Sequence, residues 1–223
     1  MRLRLSMITK HKKDYRNTSY NELDHSLGEK KIKFMDEFKL DFPRAWNIYN
    51  NINKNGKIYN VKFKNLYYNK CVYCGISTQV INSSNFEVDH FIPKAVLDLN
   101  LGYDKKHIQG IKNLVNSCTM CNRGKLDFLC NSEALYMLHP DNNQLPLIFN
   151  RKTDLSIEIK KEYDDNDVIK EFYTKLKLNN QLRRLDYLLM EMKDFCDKYE
   201  GEPIINEIQK LILKIESKRR KDY

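Results

Sequence analysis

A chain of 223 residues, 41% apolar and 31% charged, can bury one sizeable core, or a small domain with helical additions, and it holds no apolar run long enough to span a membrane. Its 39 basic against 30 acidic residues give a formal net charge of +9. That balance favours partners carrying phosphate or other anionic groups, although a Lys- and Asn-rich surface alone produces the same charge. Met1 to Arg16 is basic and polar and lacks the apolar stretch of a secretory signal, so a soluble, cytoplasmic protein without a membrane partner is expected.

Three zones are expected along the chain. Residues 1–66 read as a mostly helical N-terminal region beyond the basic leader. Leu23 to Phe38 has spaced apolar residues among charges, Phe42 to Ile52 follows with Pro43 suiting a first helical turn, and Asn55-Gly56 marks a turn. Residues 67–130 hold two cysteine pairs and an Asp-His dipeptide. Within them Phe86-Glu87-Val88 reads as a short strand, Pro93 ends regular structure, Asn100 to Gly110 is a polar loop, and a short helix starts near the second cysteine pair and runs toward Cys130.

Residues 139–223 read as a helical C-terminal region. His139 to Asn150 is rich in turn residues, and Ser156 to Ile159 alternates as a strand would. A helix is expected over Asp167 to Tyr199, with Asn179-Asn180 a candidate break and Leu182, Leu185, Leu188, Leu189, Met192 and Phe195 on one face. A second helix begins at Pro203, its stripe formed by Ile204, Ile205, Ile208, Leu211, Ile212 and Ile215. Such stripes are packing faces rather than ligand sites, and helices of this length would also suit a dimer.

Four of the six cysteines form two C-x-x-C units, Cys71 to Cys74 and Cys118 to Cys121. Two residues between thiolates let one tight turn offer both sulfurs to one ion, and two such turns complete the four-thiolate shell of a structural zinc. Four thiolates leave no position for water, so this Zn2+ is expected to hold the fold rather than to catalyse. Buried or redox-active thiols are the other use of a single pair; a second pair favours the shared metal. Cys130 and Cys196 read as free core thiols.

Between and beside the pairs lie Glu87-Val88-Asp89-His90-Phe91-Ile92-Pro93-Lys94, Asn113-Leu114-Val115 and Asn122-Arg123-Gly124-Lys125. Asp89 offers a hard oxygen to a divalent cation, His90 can take a proton from water near neutral pH, and Asn122 can supply a second oxygen. Arg123 and Lys125 are expected to hold phosphates. Glu87 and Lys94 flank the site without an assigned role. His11, His25, His107 and His139 read as surface or packing residues.

This order of motifs, Cys-x-x-Cys, Val-Asp-His with Ile-Pro behind it, Asn-Leu-Val and Cys-x-x-Cys-Asn-Arg-x-Lys, resembles the HNH endonuclease family over residues 71 to 125. The resemblance implies an α+β protein: a central ββα-metal core with structural zinc, flanked by mainly helical N- and C-terminal regions. It implies His90 as the general base, Asp89 and Asn122 as holders of one catalytic Mg2+ or Mn2+, and Asn113 as the residue that ties the loop carrying His90. Where some members of the family add a further histidine ligand, this chain has Leu126, so the ion would keep several waters, as Mg2+ does. The implied reaction is hydrolysis of DNA, double-stranded by preference, to a 5′-phosphate and a 3′-hydroxyl.

A looser similarity joins Phe172-Tyr173-x-x-Leu176-x-Leu178-Asn179 and Arg183-Arg184-Leu185-Asp186 to the tails of HNH proteins in bacterial anti-phage systems of the Septu and retron-linked types. Some of these act beside an ATPase partner subunit. Two other classes stay open: a non-catalytic zinc module that only binds nucleic acid, and a partner-dependent RNA nuclease. The joint presence of Asp89, His90, Asn113 and Asn122 speaks against the first.

Overall fold

The computed structural model describes residues 13–99 and 102–221. His11 and most of the basic leader, with the start of the Asn100 to Gly110 segment, lie outside the described residues. The chain is α+β, and its elements follow in one order. The helices α1 (Gly28–Asp41), α2 (Ile48–Ile52) and α3 (Ile58–Leu66) come first, then β1 (Phe86–His90), α4 (Lys105–Ile108), β2 (Leu114–Cys118) and α5 (Thr119–Lys125). Next come α6 (Ser132–Leu138), α7 (Leu145–Ile148), β3 (Phe149–Arg151), β4 (Ile157–Ile159), α8 (Asp167–Lys175), α9 (Leu182–Lys198) and α10 (Ile204–Lys221). No helix among the described residues is long and apolar enough to cross a membrane.

The N-terminal helices gather an aromatic core. Lys31, Phe34 and Phe38 recur on one face of α1, and the two phenylalanines meet Tyr59 and Phe63 of α3 edge to face. The helix expected from Phe42 starts later, at Ile48. Pro43 falls in a turn, and the side chain of Asn47 caps α2 by accepting from the Asn50 amide. Asn55-Gly56 forms the expected turn, with Gly56 at φ +73.

β1 and β2 pair antiparallel, Phe86 opposite Cys118 and His90 opposite Leu114, and α5 follows β2 directly and packs on both strands. The polar loop after Asn100 contains a helical turn that its composition hid. Asp104 caps α4 by accepting from the His107 amide. Ser156 to Ile159 supplies β4, which pairs with β3. One cluster of buried residues runs from Tyr15 to Leu178, so the N-terminal region, the central segment and α8 share a core.

The Asp167 to Tyr199 helix is broken between Lys175 and Leu182, a stretch that includes Asn179-Asn180 and has Lys177 at φ +51. Part of the apolar stripe of α9 packs, in a smaller cluster where Leu189, Met192 and Phe195, joined by Cys196, meet Ile205 and Ile212 of α10. Its most buried face, however, is a second one: Arg183, Asp186, Tyr187, Met190 and Asp194. The N-terminal segment clamps this face. Thr18 donates to Asp194 Oδ2 at 2.6 Å and Tyr187 donates to the Asn17 carbonyl at 2.9 Å. Hydropathy could not mark that face, because its residues are buried through polar partners.

His25 is buried and bonds Asn17 Oδ1 through Nε2 at 2.9 Å. Burial, with Arg16 adding to it, holds its pKa down at about 3. The unfolded chain therefore binds a proton here below about 6.5 that the folded chain refuses, so stability falls as pH drops through that window. Between pH 7 and pH 5 the wild type is expected to lose about 2 kcal/mol more than His25→Gln. Denaturant melts at the two pH values check this, and parallel losses in both proteins contradict it.

Candidate active site and metal centre

The two C-x-x-C turns meet. The Sγ atoms of Cys71, Cys74, Cys118 and Cys121 lie within 4.8 Å of one another and all four residues are buried. None is in a disulfide. The Cys74 and Cys118 sulfurs are 3.8 Å apart, the edge of a tetrahedron with Zn–S bonds of about 2.3 Å. The first turn closes through the Gly75 amide, which donates to the Cys71 carbonyl at 2.9 Å. Gly75 sits at φ +81, and a Cβ there would fall 2.6 Å from the Arg16 carbonyl oxygen, so only glycine fits.

The second pair straddles the junction of β2 and α5. Burial pushes the Cys74 and Cys121 thiols well up, whereas hydrogen bonds from the neighbouring cysteines pull Cys118 down. A buried set of this kind becomes fully thiolate only around a cation. The donor set and its geometry fit zinc.

The knuckle is wired to the expected active site. Val72 donates its amide to the Asn116 carbonyl of β2 at 2.9 Å, and Asn116 Nδ2 donates to the Lys70 carbonyl at 2.8 Å. Tyr73, between the first two cysteines, is buried and donates its hydroxyl to Asp89 Oδ2 at 2.7 Å. The turn that presents Cys71 and Cys74 thus also orients the carboxylate of Asp89.

Glu87 and Asp89 alternate along β1 and both meet α5. Asn122 Nδ2 donates to Glu87 Oε2 at 2.6 Å, and Arg123 lies 3.7 Å from the other Glu87 oxygen. Lys125 lies 3.3 Å from Asp89 Oδ1. Burial pushes the Asp89 carboxyl up to about 6 against the pull of Lys125 and Tyr73. Asp89 and Glu87 carry carboxylates and Asn122 a side-chain amide oxygen, the donor types a hard divalent ion takes.

His90 ends β1. Its Nε2 faces Gln109 Oε1 at 3.2 Å, and its ring lies 4.4 Å from the ring of Tyr49 on α2. Lys94 Nζ sits 4.0 Å from the centre of the same Tyr49 ring. Burial, helped by the Lys94 and Lys125 charges, holds the His90 pKa down at about 4, so the imidazole is neutral at pH 7. Asn113 sits directly behind. Its Oδ1 accepts from the Ile92 amide at 2.7 Å, its Nδ2 donates to the carbonyls of Ile92 (2.9 Å) and Ile108 (3.0 Å), and its own carbonyl accepts from the Phe91 amide at 2.8 Å.

One expectation is corrected. Lys125 was expected to hold a phosphate, but it is 0% exposed, and its ammonium donates to the carbonyls of His90 (2.9 Å) and Phe91 (3.2 Å) as well as facing Asp89. Its place one helical turn after Cys121 turns it toward the sheet. Arg123 points the other way, its side chain 76% exposed. Leu126 is also exposed and ends α5 at φ +46. The sequence also left Glu87 without a task and missed Tyr49, Tyr73 and Gln109.

Residues 71–128 match the family model described as HNH endonuclease. The match spans the two cysteine turns, β1, β2 and α5, and leaves the N- and C-terminal helical regions outside it. No curated protein and no solved structure matches the chain.

Proposed function

We propose that this protein is a metal-dependent HNH endonuclease that hydrolyses DNA phosphodiester bonds, preferably in double-stranded DNA. The observation that carries the reading is a histidine held by Gln109 at the end of β1, next to Asp89 in the strand whose Glu87 bonds Asn122 of α5, inside the segment that matches the HNH model.

Facing the Gln109 carbonyl oxygen, His90 Nε2 carries the ring proton and Nδ1 keeps the basic lone pair. His90 takes a proton from the attacking water as the water oxygen bonds to phosphorus. The bond from phosphorus to the 3′-oxygen breaks, and that oxygen leaves and takes a proton from solvent. Asp89 and Asn122 would hold Mg2+ or Mn2+, which when bound offsets the charge of the transition state and of the leaving oxygen. Glu87 fixes the Asn122 amide, so that Oδ1 rather than Nδ2 is left for an ion. Lys125 and Tyr73 hold Asp89, Asn113 holds the loop behind His90, and Arg123 is the exposed cation for a flanking phosphate.

The test is a panel of double-stranded DNA, single-stranded DNA and RNA of one sequence, incubated with zinc-loaded protein and Mg2+. Cutting of the duplex to 5′-phosphate and 3′-hydroxyl ends is expected. Cutting of RNA alone would replace the substrate, and binding without cutting would favour the non-catalytic module. Asn122→Ala is expected to raise the Mg2+ concentration for half-maximal rate about ten-fold, an effect in the range of lost metal-site groups. An unchanged Mg2+ titration removes Asn122 from the ligand set.

The similarity of the Phe172 to Asp186 segment to anti-phage proteins extends the proposal to bacterial defence or restriction. A neighbouring ATPase gene supports a partner-controlled effector, and a neighbouring DNA methyltransferase gene supports a restriction enzyme.

A further inference from the structure

Arg183 lies on α9, outside the segment that matches the HNH model, and is 3% exposed. Its guanidinium is spread across the metal centre. Nη1 donates to Cys74 Sγ at 3.0 Å and reaches Cys118 Sγ at 3.7 Å, and Nη2 donates to Cys121 Sγ at 3.0 Å and to the Leu176 carbonyl at 3.2 Å. Three of the four cysteines therefore share one arginine.

The surrounding chain is built to the same fit. A Cβ on Gly124 of α5 would fall 2.2 Å from the Lys175 carbonyl oxygen at the end of α8, so glycine lets that segment lie directly on α5. Phe172 of α8 packs against Tyr73 and Phe128 at either end of the matched segment. One turn beyond Arg183, Asp186 is paired with Arg219 of α10 at 2.6 Å.

We propose that Arg183 is the outer charge partner of the four-cysteine zinc centre, and that through it the bound metal fastens the C-terminal helices to the nuclease domain. The chemistry favours such a partner. Four thiolates around one divalent zinc carry two excess negative charges in a buried site, and one guanidinium offsets one of them while its planar fork serves several sulfurs at once. N–H donors to the sulfurs also draw electron density from the thiolates and hold them against dissociation. The inference rests on the zinc reading and is independent of nuclease activity.

The experiment uses the full chain with zinc, comparing wild type, Arg183→Gln and Arg183→Lys. Metal content comes first. Zinc release to a chromogenic chelator is then timed, the sulfur-to-metal charge-transfer band is recorded after Co2+ replacement, and hydrogen exchange is measured along α9 and α10. Arg183→Gln is expected to release zinc at least about ten-fold faster, to shift the cobalt charge-transfer band and to lose protection across residues 182–221. Arg183→Lys, with a point charge in place of the fork, is expected to fall between.

Wild type without zinc would overturn the zinc reading itself. Wild type with zinc, and variants with the same release rate, band and exchange, would overturn the role of Arg183. If Arg183→Gln does not fold, Arg183→Lys carries the same readouts, and a band and a release rate equal to those of wild type would overturn the proposal.

Discussion

Cys74→Ser is expected to lose zinc and to unfold the central region. Binding of a structural zinc contributes on the order of 10–16 kcal/mol at neutral pH, whereas a whole domain is stable by only about 5–15 kcal/mol. The substitution removes a thiolate that also accepts from Arg183, so it leaves a buried guanidinium short of a partner as well. The loss should spread. The same turn carries Tyr73, which holds Asp89, and Val72, whose amide bonds β2 and whose carbonyl accepts from Arg16 at 3.0 Å. Metal analysis and a thermal melt followed by circular dichroism check the expectation. Retained zinc and an unchanged melt contradict it.

His90→Ala is expected to lower the cleavage rate by about 10²–10⁴-fold, the usual worth of a positioned general base, while zinc content and melting stay near wild type. The side chain ends a strand whose backbone bonds do not depend on it, and the ring contacts only Gln109 and Tyr49 among the polar and aromatic partners described. Its removal leaves an imidazole-shaped gap against the Tyr49 ring, so added imidazole should restore part of the rate. Single-turnover rates with and without imidazole check this. A variant that cleaves at the wild-type rate would assign the base elsewhere.

The four-cysteine knuckle was legible because its chemistry demands one residue type at short, fixed spacing. Two C-x-x-C turns can be read without knowing what lies between them. The strand Phe86-Glu87-Val88 and the packing stripe of α9 were legible for a similar reason, since periodicity is local. Gln109, Tyr49 and Arg183 were not, because each serves a group far away in the chain: Arg183 meets Cys74 across 109 positions. Tyr73 lay in plain view between two cysteines, but its hydroxyl gains a task only when the turn folds onto β1. Lys125 was misread because a basic residue beside Asn-Arg suggests phosphate, whereas its spacing of four from Cys121 carries it to the buried side of α5. The polar face of α9 hid from hydropathy altogether, being covered by the N-terminal segment and the metal centre instead of by apolar neighbours.

The most direct test of nuclease action at this site is relaxation of supercoiled plasmid in Mg2+ by wild type and His90→Ala, both zinc-loaded and equally folded. Nicking by wild type alone is the expected result. Equal nicking by both proteins, or none by either, would contradict it.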